Sequence, residues 1–427
     1  MTDTNVPRSS LAGEDINRYD SAARRWLIDA VNAVQSEARR TSDTHLLQVP
    51  LPSEWGVDLY LKDESSHPTG SLKHRLSRSL FLHALCNGWI RPGRPVVEAS
   101  SGSTAVSEAY FAQLIGVPFI AVVAGTTSAK KISLIESYGG QCHLVDDANE
   151  VYEVAARLAA ESGGHYMDQF TYAERATDWR GNNNIAESIF FQMSLEPHPE
   201  PAWIVATAGT GGTSATLARY VRYTGRSTGI CVADPDNSAF FAGWRDEDPE
   251  ATTEHGSRIE GIGRQRVEAS FIPSSIDRMM HVPDAASIAS IQLLEELIGR
   301  RSGASTGTSL WAALRIVSQM RAAGQKGSIV SLICDPGERY LDKYYSPEWL
   351  AEAGIDPSDH RARLKEFMAT GHLDEGRVPS RSSRSVVTQP TAAGVRPSSR
   401  SRNHGCASHA EPSPRRPRPA ARRRWPR

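Results

Sequence analysis

Lys73 closes the run Lys62-Asp63-Glu64-Ser65-Ser66-His67-Pro68-Thr69-Gly70-Ser71-Leu72-Lys73, after the short apolar stretch Leu59, Tyr60, Leu61. The pattern predicts a strand, a polar turn with Pro68 and Gly70, and a helix carrying the lysine in its first turn. Most lysines at such a place are solvated. One held in a closed pocket can lose its proton and form an imine with an aldehyde. Three segments rich in Gly, Ser and Thr follow: Ser100-Ser101-Gly102-Ser103-Thr104, Gly209-Thr210-Gly211-Gly212-Thr213 and Gly303-Ala304-Ser305-Thr306-Gly307. Each precedes a helical pattern, where backbone N–H groups and nearby hydroxyls favour an anion. In the second, glycines let the backbone approach a phosphate closely. Ser214 stands where a GxGxxG dinucleotide loop needs its last glycine, and no GxxxxGK[ST] loop occurs.

An imine-forming amine, with loops able to hold a carboxylate, a phosphate and a ring nitrogen, is the set that pyridoxal 5'-phosphate chemistry requires. On these motifs the chain, over roughly residues 45–345, resembles the cysteine synthase/cystathionine β-synthase family of fold type II, the tryptophan-synthase-β-like enzymes. The resemblance implies pyridoxal phosphate as cofactor and Lys73, in Ser71-Leu72-Lys73-His74-Arg75, as its covalent lysine and later proton shuttle. His74 stands where an acidic residue is common. Gly209, Thr210, Gly211, Gly212 and Thr213 match the phosphate cup. Ser100, Ser101, Gly102 and Thr104, with Gln169, match the residues around the substrate's α-carboxylate. Ser103 takes the place of an asparagine near the cofactor's phenolic oxygen. Ser305 falls at the pyridine nitrogen, ahead of Asp335 as the alternative there, and Gly261-Ile262-Gly263 matches a loop bordering the site.

A neutral hydroxyl at the ring nitrogen makes a weaker electron sink than a carboxylate partner would. That favours losing a group from the β-carbon over transamination. The implied activity is a carbon–sulfur lyase acting on L-cysteine, releasing hydrogen sulfide, pyruvate and ammonia. Its rival is β-replacement on O-acetylserine or serine, which uses the same residues. A non-catalytic amino-acid sensor is opposed by the intact Lys73. The resemblance also implies a homodimer.

These loops need a framework. Short β-rich runs at Pro95–Ala99, Phe119–Val123, Cys142–Val145, Trp203–Thr207, Gly229–Ala233 and Ser328–Ile333 alternate with helical patterns. Such runs predict parallel strands buried on both faces, hence an α/β fold with two doubly wound sheets. The expected division is an N-terminal extension (1–44) with an amphipathic helix from Arg18 to Arg40, α/β domains at 45–165 and 166–350, a helical segment at 351–375 and a disordered tail at 376–427.

The whole chain's net charge of −1 hides an asymmetry. Residues 376–427 hold thirteen Arg, no Lys and one acid, Glu411, a net +12 that leaves −13 on the rest. With few large apolar residues the tail cannot offset its ordering entropy. So acidic a body argues against docking on nucleic acid. Five scattered cysteines lack metal-ligand spacing, which fits a reducing cytoplasm without a zinc site. No run suits a membrane span and the polar start is not expected to be a signal peptide.

Overall fold

The computed structural model describes residues 21–40 and 43–373. The tail 376–427 and the first residues of the expected N-terminal helix lie outside them. In chain order the elements are α1 (Ser21–Arg40), β1 (His45–Val49), β2 (Val57–Asp63), α2 (Lys73–Cys86), β3 (Val96–Glu98), α3 (Ser103–Ile115), β4 (Phe119–Ala124), α4 (Ala129–Ser137), β5 (Gln141–Val145), α5 (Val151–Ser162) and β6 (His165–Tyr166). There follow α6 (Gln169–Ala176), α7 (Ile185–Met193), β7 (Trp203–Thr207), α8 (Gly212–Tyr223), β8 (Gly229–Pro235), α9 (Ala239–Arg245), β9 (Arg278–Val282), α10 (Asp284–Ile298), α11 (Ala304–Ala322), β10 (Gly327–Ile333), α12 (Pro347–Glu352) and α13 (Ser358–Thr370).

The strands form a six-stranded sheet of order β1-β2-β10-β7-β8-β9 and a four-stranded sheet of order β5-β4-β3-β6. All pairings are parallel except β1 with β2. Only seven residues join those two strands, too few for a parallel crossover, so the larger sheet is mixed rather than wholly parallel. The segment 45–63 therefore sits in the sheet built otherwise from strands after residue 200, and the smaller sheet is formed by the chain between them.

Both sheets are buried on two faces, as the β-branched runs require. In the larger one, Leu59, Leu61, Val205, Cys231, Ile329 and Ile333 pack with α10, α11 and α13. Their neighbours Tyr60, Ile204, Ala206, Ile230, Val330 and Leu332 pack with α7 and α8. In the smaller, Val96, Ala121 and Val123 face α1, α2 and α3, while Val97 and Val122 face α5. Ala30 and Val34 bury the apolar stripe of α1 in that same core.

Strand order sets the site. β10 lies between β2 and β7, and all three run the same way. The segments after Asp63, Ile333 and Thr207 therefore emerge side by side at the carboxyl end of the sheet, where open α/β sheets bind ligands. The three Ser/Thr/Gly segments differ from expectation in one respect: their helices start earlier. Ser103–Thr104, Gly212–Thr213 and Ala304–Gly307 are helical first turns rather than loops. First-turn N–H groups need no intrahelical partner, so such residues are tolerated there.

Candidate active site

The turn before α2 is fastened to the end of β10 by the Leu72 N–H, which donates to the Cys334 carbonyl at 2.9 Å. Gly70 permits the turn: its φ is +68°, and a Cβ there would lie 2.8 Å from Arg339 Nη2. Lys73, the first residue of α2, is thereby presented half-buried at the carboxyl end of the larger sheet. Burial pushes its ammonium below the usual lysine range; Arg264 adds to this, and Cys334 and Asp335 oppose it. Burial also pushes the Cys334 thiol up to about 12 and Asp335 up to about 6. Asp335 Oδ2 accepts from the Tyr340 hydroxyl at 2.6 Å, while its Oδ1 is buried with no hydrogen-bond partner. Ser305, itself buried, hydrogen-bonds the Cys334 thiol. Ser305 and Asp335 are thus both set beside the strand end that holds Lys73.

On the other side of Lys73 stands the start of α8. Gly211 is its N-cap, at φ +90°, and no side chain caps the helix. A Cβ on Gly211 would lie 2.4 Å from Phe271 Cα, so the residue is demanded by packing as well as by its dihedral. The Gly212 N–H has only a long contact, 3.3 Å, to Thr210 Oγ1. A cavity of about 140 Å³ is lined by Lys73, Arg78, Thr210, Gly212, Thr213 and Thr216, among others. Gly209 abuts the Gly261-Ile262-Gly263 loop, whose Gly263 N–H donates to the Ala208 carbonyl at 2.9 Å.

The third group of residues comes from the smaller sheet. Ser100, Ser101 and Gly102 form the half-buried turn between β3 and α3. The Thr104 hydroxyl donates to Gln169 Oε1 at 2.8 Å, joining two residues 65 positions apart. Glu98 ties the same two segments from behind, accepting from the Ala99 N–H at 2.8 Å and the Gln169 N–H at 3.2 Å. Burial pushes Glu98 up to about 8. Glu108 on α3 goes well above the glutamate range through burial and the neighbouring Glu98, and neither of its oxygens has a hydrogen-bond partner.

Sequence reasoning missed Arg339, Glu98, Glu108 and Arg264 as participants. Arg264 lies over the Phe170 ring at 4.3 Å, pairs with Glu268 at 2.9 Å and reaches the Tyr152 hydroxyl. A lone carboxylate in the apolar stretch Ala105–Ala112 was the one available signal for Glu108. Arg339 had none, since its partners lie some 236 and 270 residues away.

The donor set fits pyridoxal phosphate. An uncapped helix N-terminus with threonine hydroxyls suits a dianion, a lysine with a depressed pKa suits an aldehyde, and a buried hydroxyl suits a pyridine nitrogen. Among the described residues no cluster of His, Cys, Asp or Glu is arranged to hold a metal ion, and no helix is long and apolar enough to cross a membrane.

Comparison with known proteins agrees with this chemistry. The family described as "pyridoxal-phosphate dependent enzyme" matches residues 39–335. The chain is 58% identical over 351 residues to L-cysteine desulfhydrase Cds1 of Mycobacterium tuberculosis, covering 81% of this chain and 95% of that one. It is 29% identical to N-(2-amino-2-carboxyethyl)-L-glutamate synthase of Ralstonia nicotianae, over 73% of this chain and 92% of the relative. The crystal structure of O-ureido-L-serine synthase superposes with a TM-score of 0.62 at 24% identity, over 76% of this chain and 98% of that one, a likeness of fold.

Proposed function

The chain belongs to the pyridoxal-phosphate-dependent enzyme family, and from that premise we propose that it is an L-cysteine desulfhydrase, a carbon–sulfur lyase yielding hydrogen sulfide, pyruvate and ammonia. The observation that carries this reading is the 58% identity, across 81% of the chain, to a relative of that name. When bound, pyridoxal phosphate supplies the aldehyde that takes up the substrate amine and the electron-withdrawing ring that makes the α-hydrogen acidic.

The chain's own residues divide the remaining work. Gly209, Thr210, Gly211, Gly212 and Thr213 hold the phosphate through the first-turn N–H groups and hydroxyls of α8. Lys73 is the attachment point for the aldehyde and, once freed, the base for the α-proton; its depressed pKa supports that role, because a neutral amine is needed. Ser100, Ser101, Gly102 and Thr104, with Gln169 bonded to Thr104, hold the substrate carboxylate. Ser103 serves the cofactor's phenolic oxygen. Ser305 meets the ring nitrogen with a hydroxyl, which leaves the nitrogen without a charged partner and favours departure of the sulfur. The free thiols of Cys86, Cys142, Cys231 and Cys334 support a reducing cytoplasm, and the family resemblance supports a homodimer.

The test uses the full chain loaded with pyridoxal phosphate. With L-cysteine alone it should release sulfide, pyruvate and ammonia in equal amounts. If net cysteine synthesis from O-acetylserine and sulfide outran cysteine breakdown at matched concentrations, the desulfhydrase reading would give way to a synthase.

A further inference from the structure

Ser103 is the first residue of α3, and its hydroxyl oxygen accepts from Arg339 Nη1 at 2.8 Å. The other terminal nitrogen of that guanidinium donates to the Thr69 carbonyl, also at 2.8 Å, four residues before Lys73. Arg339 belongs to the short 3-10 turn Gly337–Tyr340 after β10. A single cation thus runs from the end of the larger sheet to the first turn of a helix packed on the smaller one. Its placement is tight: Gly70 leaves it room that a Cβ would take, and Lys130 Nζ holds its carbonyl at 3.3 Å.

A serine hydroxyl has one proton to give. Because an Arg339 N–H already donates to Ser103 Oγ, the hydroxyl proton is left for some other acceptor, and the adjacent cation polarises the O–H bond. We propose that Arg339 is a positioning residue that commits the Ser103 hydroxyl to donating a hydrogen bond to an oxygen of the bound cofactor. The proposal rests on the pyridoxal-phosphate reading of the site. It accounts for how a short serine, which unlike an asparagine amide brings a single proton that rotates freely, can act as a directed donor. Arg339 does not itself touch the reacting atoms; it acts through Ser103.

The experiment compares full-length wild type, Arg339→Met, Arg339→Lys, Ser103→Ala and Ser103→Asn, with Ser103→Asn also placed in each Arg339 variant. Four quantities are read: the dissociation constant for pyridoxal phosphate, the absorption maximum of the bound cofactor across pH, and kcat and KM for L-cysteine. Arg339→Met and Ser103→Ala should each shift the absorption maximum and weaken cofactor binding by about tenfold, the worth of one charge-assisted donor. The fall in kcat should exceed any change in KM. Adding Ser103→Asn to Arg339→Met should restore the spectrum and most of the affinity, since an amide carries its own N–H donors and needs no cation to orient it. Should Arg339→Met be unfolded by thermal melting, Arg339→Lys takes its place and Ser103→Asn must recover its spectrum in the same way. A wild-type spectrum in Arg339→Met or Ser103→Ala overturns the proposal. So does a defect that Ser103→Asn leaves unrepaired, which would assign Arg339 to bridging Thr69 alone. Binding and spectra need no turnover: wild type that binds the cofactor without releasing sulfide would sink the desulfhydrase reading and leave this test intact.

Discussion

At the scale of single residues, Lys73 is where local sequence and distant geometry agree. Its amine is held by a turn pinned to the Cys334 carbonyl, and burial leaves it less willing to carry a proton. Lys73→Ala should lower kcat for sulfide release by at least roughly a thousandfold, the loss of both an attachment point and a base. The melting temperature should stay near that of wild type, because alanine is a good first-turn residue and no hydrogen bond of the amine is lost. A kcat that fell much less than this, or a cofactor still covalently trapped by borohydride, would remove Lys73 from its assigned role. The lysine was legible because four chemistry-bearing segments recur in order along the chain. Arg339 was not, because its meaning lies in Ser103 and Thr69, which only the fold brings to it.

At the scale of elements, β-branched runs announced six strands and the apolar stretch before Lys62 a seventh, β2, but β1, with the sequence HLLQV, β9, with the sequence RMMHV, and the two-residue β6 gave no such signal. Tertiary packing decides those. The same gap between local pattern and packing explains the early helix starts, since Gly/Ser/Thr runs read as loops until an uncapped first turn is seen at Gly212–Thr213. That turn yields a test. Thr213→Asp places a carboxylate at a helix N-terminus, where the helix itself tolerates it, yet opposes a bound phosphate. The variant should fold and melt as wild type does while binding pyridoxal phosphate at least about tenfold more weakly; unchanged affinity in equilibrium dialysis would place the phosphate elsewhere.

The β3–α3 unit offers a second test, of pH dependence. Glu98 is raised from its ordinary value of 4.5 to about 8, and burial beside Glu98 raises Glu108 well above that ordinary value too. A carboxyl raised on folding holds its proton more tightly folded than unfolded. Stability is therefore fullest below about pH 4.5 and is lost as pH climbs toward 8. Glu108→Gln keeps the volume and removes one of the two buried carboxyl groups, which must otherwise take up a proton on folding at pH 8. Its melting temperature should exceed wild type by roughly 3 °C at pH 8 and by less at pH 5. A lower melting temperature at pH 8 would mean that the Glu108 carboxyl makes a contact worth more than its burial costs.

At the scale of the whole molecule, charge and chemistry occupy different parts of the chain. Every residue assigned to the cofactor or the substrate lies between Lys73 and Ser305, and Arg339 extends the set only slightly. The residues after 375 carry a net +12 and no assigned group, against −13 on all that precedes them. Opposite charge on one chain invites self-association at low salt, a long-range effect that screening removes beyond about 10 Å at 0.1 M salt. Deleting 376–427 should therefore leave kcat and KM for L-cysteine unchanged, because none of the residues assigned to the cofactor or the substrate lies in the deleted stretch. What should change is solution behaviour: the full chain should elute earlier from a sizing column at 10 mM than at 300 mM salt, and the shortened chain should not, since like-charged bodies repel. A fall in kcat on deletion, at a salt concentration that screens the tail, would show instead that residues beyond 375 help complete the active site.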